Sequence, residues 1–202
     1  MPSFSNQDVL GIVIAASFAS GLNVYATVAT LGILSHIHVF SLPPALHLLG
    51  SWPVIVVSGL LFILEFFGDK VPAFDLIWNA LHTFIRVPVA MLLSFGATQQ
   101  LSPAGQLGAT VMGGLIALAA HGGKTAVRAA VTPSPEPFSN LALSFGEDIA
   151  AISLTWFATK HPLIAAGITL AGVILAVLFV RFVIRSMRGL FQRARSALTF
   201  LS

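Results

Sequence analysis

Chemically active side chains are concentrated in one apolar stretch of the sequence, residues 65–86 (EFFGDKVPAFDLIWNALHTFIR). If a helix begins at Pro72, four polar residues recur along one face, within an arc of roughly 60° at about 100° per residue. These residues are Asp75, Asn79, His82 and Arg86. Acids and an imidazole in a low-dielectric interior can relay protons, whereas a guanidinium group binds anions. The stretch therefore predicts a polar wall inside an apolar domain.

Ionisable groups in other apolar segments extend this predicted site. An ionisable side chain at the bilayer centre costs roughly 2.5–3.5 kcal/mol, so such groups must pair with each other or face water. If these groups only fix helix packing, we expect pairs such as Arg86 with Glu147 and Lys124 with Asp69. The whole candidate set, which includes two residues from the polar half of the first span, is Asn23, Tyr25, Glu65, Asp69, Asp75, Asn79, His82, Arg86, Lys124, Arg128, Glu147 and Asp148.

The set admits several chemical interpretations. The acids and the histidine could move protons or cations, while the lysine and arginines could hold a phosphate, a carboxylate or a lipid head group. Four carboxylates could also bind a hard cation, but this interpretation ranks lower because cationic side chains lie in the same region. The remaining interpretation is a set of buried ion pairs that only fixes helix packing. The four acids of the possible cation site are Glu65, Asp69, Glu147 and Asp148.

Enzymatic motifs and metal motifs give little support to catalysis. His36 and His38 have the spacing of a ligand pair, but two interfacial histidines in a loop are the more frequent explanation, and the same holds for His161 beside Pro162. The sequence contains no nucleophile elbow, HExxH, Walker or dinucleotide motif. We therefore expect no enzyme, no cofactor and no resident metal, although an intramembrane hydrolase stays open.

Composition predicts an integral membrane protein. Of 202 residues, 56% are hydrophobic and only 8% are charged, and the mean hydropathy is +0.93. Apolar runs recur along the whole length without a long polar block, so residues 1–202 are predicted to form one transmembrane domain. The start of the sequence lacks a positively charged leader, so we expect no cleaved signal peptide.

Cysteine usage and charge exclude further classes. Zero cysteines exclude disulfides, thiolate metal sites, cysteine nucleophiles and covalent haem attachment. The pI near 10 does not indicate nucleic-acid binding, because half of the ten Lys and Arg residues follow the last apolar helix. Such a basic segment is typical of a cytoplasmic anchor on anionic lipid. These residues are Arg181, Arg185, Arg188, Arg193 and Arg195.

The apolar pattern predicts an all-α fold with about six transmembrane helices, several of them broken by proline or glycine. Residues 45–49 are too few to span a bilayer and are predicted to be interfacial or re-entrant. The last span is uniformly apolar and is the best candidate for lipid contact. The predicted spans cover residues 9–34, 52–67, 72–95, 107–128, 138–158 and 162–183.

Positive charge predicts the orientation of these spans. With six spans and the N-terminus inside, the loops 35–51 and 96–105, which contain no Lys or Arg, lie outside. Most Lys and Arg residues then lie inside, and only Lys160 lies on the outer side. We therefore expect a multi-pass protein of the bacterial inner membrane with both termini in the cytoplasm.

A weak internal repeat divides the chain into residues 1–97, residues 103–184 and a basic amphipathic tail, residues 185–202. Aligning residues 19–30 with residues 120–131 pairs Gly21 with Gly122 and Asn23 with Lys124, and an acidic motif recurs as FGD (67–69) and FGED (145–148). Three spans per half require opposite insertion of the two halves, which is the inverted-repeat arrangement of many transporters. Chance similarity between Gly/Ala-rich helices is the alternative.

Three segments together resemble a known family: EFFGDKVPAFDLIWNALHTFIRVPVA, HGGKTAVRAAVTPSPEPFSN and SFGEDIAA. The chain is similar to a bacterial family of small membrane proteins that is labelled a domain of unknown function, number four-one-two-six. The resemblance extends from GLNVYAT in the first span to FGED. It implies a multi-span bacterial inner-membrane protein and brings no activity or site residue with it.

From the residues we expect a small transporter with a charged intramembrane cavity. It is expected to be proton-coupled and to move a small anionic or polar solute or a lipid head group. The expected partners are that solute or ion, anionic lipid at the arginine tail and further copies of the chain, without nucleic acid. An ion channel, or a structural or assembly protein whose charges only lock the helices, are the alternatives.

Overall fold

The computed structural model describes residues 5–69, 72–131 and 137–199, with the side chains of 72–80, 137, 140 and 190–199 outside the description. All regular structure in these ranges is helical. A 3-10 helix, Pro44–Gly50, lies between the second and third of seven α-helices. The α-helices are α1 (Asn6–Leu22), α2 (Val24–His36), α3 (Trp52–Gly68), α4 (Pro72–Ala97), α5 (Pro103–Val131), α6 (Pro137–Lys160) and α7 (Pro162–Thr199).

Local sequence signals explain where most of the helices begin. Ser5 and Asp8 form a reciprocal capping box at the start of α1. The last four helices each begin at a proline, whose missing N–H and fixed φ suit the first turn of a helix. The predicted helix start at Pro72 is confirmed. Residue 185, the predicted start of the tail, lies inside α7, which continues without a break to Thr199.

The predicted first span is divided into two helices at Asn23, which has extended backbone angles (φ −150°, ψ 105°). Ala16 of α1 and Leu31 of α2 lie in one apolar cluster with Leu93, and Ala19 and Ala26 share another. In one straight helix, Ala16 and Leu31 are about 22 Å apart at 1.5 Å per residue. Helix α2 therefore returns towards the end where α1 starts, and the two helices form a hairpin instead of the predicted single span.

Two opposite ends of the bundle can be distinguished. We call the end that contains Phe40, the 3-10 helix and the start of α7 the loop end, and the end that contains Asp69 and Arg128 the charged end. Gln106 near the start of α5 donates to the carbonyl of Phe95 near the end of α4 at 2.9 Å, so α4 and α5 are antiparallel. Helix α5 thus runs from the loop end to the charged end.

The remaining helix directions follow from close contacts between small residues. Gly11 packs against Pro162 and Gly123 packs against Ala176, so α1, α5 and α7 run in the same direction. Ala15 of α1 lies beside Ala158 of α6, and α6 therefore runs back. Helices α1, α3, α5 and α7 run towards the charged end, whereas α2, α4 and α6 run towards the loop end. The N-terminus of α1 and the C-terminus of α7 consequently lie at opposite ends, unlike the predicted arrangement with both termini together.

Three helical segments are long and apolar enough to cross a membrane: Pro103–Val131, Leu141–Lys160 and Pro162–Gly189. The 3-10 helix and α3, which meet at a bend of 64°, make a fourth if they count as one broken span. The count of three or four applies to the described residues only and is lower than the six predicted spans. Pro162–Gly189 has the highest mean hydropathy, 2.8, with 17% of its most apolar window buried, as expected for lipid contact.

Candidate functional site

The tip of the α1–α2 hairpin carries polar groups into the interior of the bundle. Asn23 is fully buried, accepts from the backbone N–H of Ala26 at 2.9 Å and donates to Asp148 Oδ1 at 2.8 Å. The last carbonyls of α1 have no partner inside the helix, and two of them accept from cations. Arg86 donates to Gly21 O and Lys124 donates to Leu22 O, each at 3.3 Å. Cations at a helix C-terminus are also favoured by the helix dipole.

Arg86 links the hairpin tip to three other helices. Its guanidinium forms an ion pair with Glu65 near the end of α3, and both side chains are fully buried. Its Nη1 also lies 2.8 Å from His121 Nδ1 on α5. The other nitrogen of that ring, Nε2, lies 2.8 Å from Thr83 Oγ1 on α4. Arg86, which belongs to α4, is thereby held by groups of three other helices, α1, α3 and α5.

Lys124 and Arg128 extend the cluster one turn further towards the charged end. Lys124 Nζ lies 3.0 Å from Asp69 Oδ2, 3.1 Å from Glu147 Oε2 and 3.9 Å from Glu65 Oε1. Arg128 Nη2 lies 3.0 Å from the same Asp69 oxygen and 2.7 Å from Glu147 Oε2. Each of these two carboxylates therefore binds two cations. We call Glu65, Asp69, Arg86, Lys124, Arg128 and Glu147 the ion network.

Burial makes the ion network expensive to assemble and sensitive to any change. The side chains of Glu65, Arg86 and Lys124 are 0% exposed, and even the most exposed member, Glu147, reaches only 11%. Taking such charges out of water costs several kcal/mol per ion, which is recovered only when the partners have good geometry. The network has three formal positive and three formal negative charges and is balanced in itself.

Some buried polar atoms around the network have no hydrogen-bond partner among the described residues. These atoms are Glu65 Oε2, Asp69 Oδ1, Arg86 Nε and Asp148 Oδ2. An unsatisfied buried polar group costs about 1–3 kcal/mol, so native proteins rarely keep several of them together without a purpose. Asp148 differs from the other acids because it accepts from an amide, that of Asn23, and not from a cation. The site therefore holds one carboxyl beyond the charge balance of the network.

A second polar contact lies beside the network on the same face of α4. His82 Nε2 lies 3.2 Å from the hydroxyl of Tyr25 on α2, and the two rings meet edge to face at 5.5 Å. His82 is 2% exposed and lies one turn before Arg86 on α4. The predicted stripe thus points inward at both of its described side chains. The side chains of Asp75 and Asn79, which complete the stripe, lie outside the described residues.

An apolar cavity of about 280 Å³ lies nearer the loop end, between the two arms of the hairpin and the end of α4. Ile12, Leu31 and Leu93 line it, together with the hydroxyl-bearing Ser94. Ser94 lies 3.2 Å from Ser17 of α1, oxygen to oxygen, and Gly113 packs against both serines. This contact closes the packing between the cavity and the ion network.

The structure agrees with part of the predicted pairing. The pair Lys124–Asp69 is confirmed. The pair Arg86–Glu147 is wrong, because Arg86 binds Glu65. Glu147 lies nearer the charged end, where it binds Lys124 and Arg128. The predicted partners were chosen by charge alone, whereas helix direction decides which carboxylate lies at the depth of each cation.

His121 contacts Arg86 but was not in the predicted site. The sequence contains a signal for it, because His121, Lys124 and Arg128 lie at i, i+3 and i+7 and so share one face of α5. All three are buried at 4% exposure. The helical spacing of polar residues in α5 therefore identifies His121 in the same way as the spacing within residues 65–86 identifies the stripe of α4.

His36, which lies near the loop end, has structural contacts. His36 Nδ1 lies 2.9 Å from the carbonyl oxygen of Gly50, and its ring packs edge-on against Trp52 at 4.7 Å. Among the side chains that the structure describes, no group of three or more His, Asp or Glu has an arrangement that could hold a metal ion. The four acids of the predicted cation site face Lys124, Arg86, Arg128 and Asn23 instead.

Comparison with known families gives one result. The family model described as Domain of unknown function (DUF4126) matches residues 10–182, which is most of the chain and includes every residue of the ion network. Comparison with curated proteins and with solved structures finds no match.

Proposed function

This chain belongs to the family described as Domain of unknown function (DUF4126), and we propose that it is a proton-coupled transporter of a small oxyanion in the bacterial inner membrane. The observation that carries the proposal is the binding of Arg86 and Lys124 to the last carbonyls of α1, Gly21 O and Leu22 O, at the tip of the α1–α2 hairpin. Discontinuous helices whose ends face buried charges form the substrate sites of many secondary transporters. The ion network is then the resting form of an anion site.

The chemistry of the network suits a bound oxyanion. Arginine presents a planar fork of donors that matches the two oxygens of a carboxylate or phosphate, and lysine adds a point charge. In the resting form the carboxylates of Glu65, Asp69 and Glu147 occupy these donors. An incoming oxyanion replaces them, and a displaced carboxyl that keeps no other cation becomes neutral by taking up a proton, because an unpaired buried carboxylate is disfavoured. Exchange of carboxylate for substrate therefore links anion binding to proton uptake.

The cavity of about 280 Å³ supplies the approach to this site from the loop end. Its inner limit is formed by Ser94 and Ser17, and beyond them Gly21 packs against the backbone of Ala117. Contacts between such small residues can separate and re-form at low cost in side-chain rearrangement. We take the described arrangement as a closed state in which the cavity and the network are not connected.

The proposed membrane arrangement has five crossings and one re-entrant hairpin. Helices α3 to α7 cross, whereas α1 enters from the loop end and α2 returns to it. The loops at the loop end, residues 37–51 and 98–102, contain no Lys or Arg, while the arginines of α7 follow the charged end. By the positive-inside rule the charged end is cytoplasmic, which places the N-terminus outside and the C-terminus inside. This replaces the six predicted spans with both termini inside.

We keep the inverted repeat as part of the proposal, with three helices in each half. Helices α2, α3 and α4 run opposite to α5, α6 and α7, respectively, and α1 is an addition to the first half. The acidic residues of the two halves, Asp69 and Glu147, meet on the same cations, Lys124 and Arg128. Exposed arginines of α7 would contact anionic lipid at the cytoplasmic surface. Assembly into a homo-oligomer stays a prediction.

A structural role is the second candidate, and one observation favours it. Every member of the ion network has at least one partner of opposite charge within 3.1 Å, so the network also satisfies what helix packing alone requires. In that case the charges fix the register of α3, α4, α5 and α6, and no solute passes. The two candidates differ in whether a folded protein without one cation loses an activity.

Proteoliposome uptake of labelled inorganic phosphate and sulfate under an inward proton gradient tests the proposal. We expect uptake by the wild type, loss of uptake in Lys124→Gln with its fold retained, and normal uptake in the matched control Lys160→Gln, which alters an exposed lysine at the end of α6. Scrambling of fluorescent phosphatidylglycerol in the same vesicles identifies a lipid head group as the oxyanion. Conductance without a proton gradient would indicate a channel, and no flux of any kind by the folded wild type would favour the structural role.

A further inference from the structure

We propose that His121 is the proton-binding residue that couples proton uptake to the release of Arg86, an inference that rests on the proposed transport function. His121 lies on α5 and is 4% exposed. Its Nδ1 is 2.8 Å from Arg86 Nη1, and its Nε2 is 2.8 Å from Thr83 Oγ1. The imidazole thus lies between a cation that belongs to the anion site and a hydroxyl.

The donor chemistry of arginine fixes the protonation state of this ring. A guanidinium group has only N–H donors and no acceptor, so the ring nitrogen that faces Arg86 must be the acceptor. That nitrogen, Nδ1, consequently carries no hydrogen. The ring is neutral, its hydrogen is on Nε2, and this hydrogen is donated to Thr83 Oγ1. Arg86 in its resting position therefore selects one tautomer of His121.

Protonation of His121 and the resting position of Arg86 exclude each other. A proton that binds the Nδ1 lone pair gives the ring a positive charge and a donor at both nitrogens. A donor then faces a donor, and two like charges lie 2.8 Å apart in a buried site. Because burial strengthens this repulsion, Arg86 must leave the ring. No covalent bond of the protein is made or broken, and loss of the same proton reverses the step.

The displacement of Arg86 has two consequences at the anion site. Arg86 also donates to Gly21 O at the hairpin tip, so its movement removes one of the two cations that hold this tip. Its carboxylate partner, Glu65, keeps a second cation, since Lys124 Nζ is 3.9 Å away. One proton taken up by His121 thereby frees one guanidinium for the oxyanion. One proton and a monovalent oxyanion then enter together without adding net charge to the site.

The groups around His121 support this assignment. On its own helix, Lys124 lies one turn further on, and from α4 and α3 the charged neighbours are Arg86 and Glu65. From α1, the uncharged carbonyl of Gly21 accepts from the same Arg86 Nη1 that faces His121. From α7, Val180, Val183 and Ile184 form the apolar wall of a groove of about 490 Å³ that His121, Thr83 and Thr125 also line.

Nitrogen-15 NMR of histidine-labelled protein in nanodiscs tests the coupling without any transport assay. The chain has six histidines, and the signal of His121 is identified by its loss in His121→Asn. At neutral pH we expect the neutral ring with hydrogen on Nε2 only, and a mixture of both tautomers in Arg86→Met. A cationic His121 beside Arg86, or an unchanged tautomer in a folded Arg86→Met protein, would overturn the inference.

Transport by His121→Asn is the second test of the inference. In His121→Asn, the amide oxygen still accepts from Arg86 but cannot be protonated at neutral or mildly acidic pH. We expect phosphate uptake driven by a proton gradient to fall to the level of protein-free liposomes, because no proton then displaces Arg86 from its resting position. His161→Asn, just before α7, serves as the control and keeps this uptake. Gradient-driven uptake by His121→Asn would overturn the inference, while absence of all flux in the wild type would refute the transport function and leave the NMR result to decide the His121–Arg86 coupling.

Discussion

The side-chain amide of Asn23 donates to Asp148 Oδ1 at 2.8 Å, although the two residues are 125 positions apart in the chain. The oxygen of the same amide accepts from Ala26 N at 2.9 Å and so caps the first turn of α2. One side chain therefore stabilises the reversal of the hairpin and attaches its tip to α6. Different substitutions of Asn23 can therefore remove the bond to Asp148 with or without the cap of α2.

Asn23→Ala removes both contributions, whereas Asn23→Ser keeps the cap but does not reach Asp148. Loss of an N-cap costs about 1 kcal/mol. A buried carboxyl left without its donor costs about 1–3 kcal/mol more. We expect the unfolding midpoint in detergent to fall in the order wild type, Asn23→Ser, Asn23→Ala. Ser5→Ala, which alters the exposed cap of α1, is the control with a small effect. An Asn23→Ser midpoint equal to that of the wild type would show that the bond to Asp148 contributes no stability, and equal midpoints for the two variants would show the same for the cap.

Arg86→Met leaves Glu65 buried without its closest cation. Removing one partner of a buried ion pair costs about 3–5 kcal/mol, whereas replacing both partners by apolar groups of similar size is far less harmful. We therefore expect Arg86→Met and Glu65→Leu each to lower the thermal midpoint strongly, and the double variant to recover most of the loss. Arg185→Met, at an exposed position of α7, should leave the midpoint unchanged. Additive losses in the double variant contradict a direct pair.

Gly21→Ala tests the close contact between the hairpin tip and α5. A methyl group at Gly21 meets the carbonyl oxygen of Ala117, which belongs to helix backbone and cannot move aside easily. The same change at Gly59 meets nothing within 4 Å. We expect Gly21→Ala to destabilise the protein and Gly59→Ala to be neutral or to stabilise it by up to about 1 kcal/mol, since alanine favours helix. Thermal unfolding in nanodiscs compares the two variants, and equal effects would argue against the described packing.

Single cysteines in a chain that has none report which end faces which side of the membrane. Gln7→Cys and Gln99→Cys lie at the loop end, and Ser186→Cys lies beyond the charged end on α7. We expect a membrane-impermeant maleimide to label the first two from outside intact spheroplasts and the third only after permeabilisation. Labelling of Gln7→Cys and Ser186→Cys from the same side would support six crossings and refute the re-entrant hairpin.

Sequence reasoning located most of the helices because their causes are local. The helix starts at Pro72 and Pro162 follow from the fixed φ and the missing N–H of proline. The need for the acids and cations to pair follows from the cost of isolated charge in an apolar interior. These features depend on neighbouring residues or on composition alone.

Helix direction could not be predicted in the same way. The segment around Asn23 reads as a polar part of one span, and nothing local distinguishes a continued helix from a reversal. Its length contained a hint, because α1 with 17 residues and α2 with 13 are together longer than the roughly 20 residues that one crossing needs. The wrong pair Arg86–Glu147 has the same origin, since the depth of each charge depends on the direction of its helix. Tertiary packing of α1 against α4, α5 and α6 decides both.

Simultaneous recording of internal pH and of labelled phosphate or sulfate in proteoliposomes tests whether the ion network carries proton-coupled anion transport. We expect external oxyanion to acidify the lumen only when wild-type protein is present, anion and proton to enter together, and Lys124→Gln to abolish both signals. Acidification and uptake that persist in a folded Lys124→Gln protein, or anion entry without any change in internal pH, would contradict transport through the ion network at the tip of the hairpin.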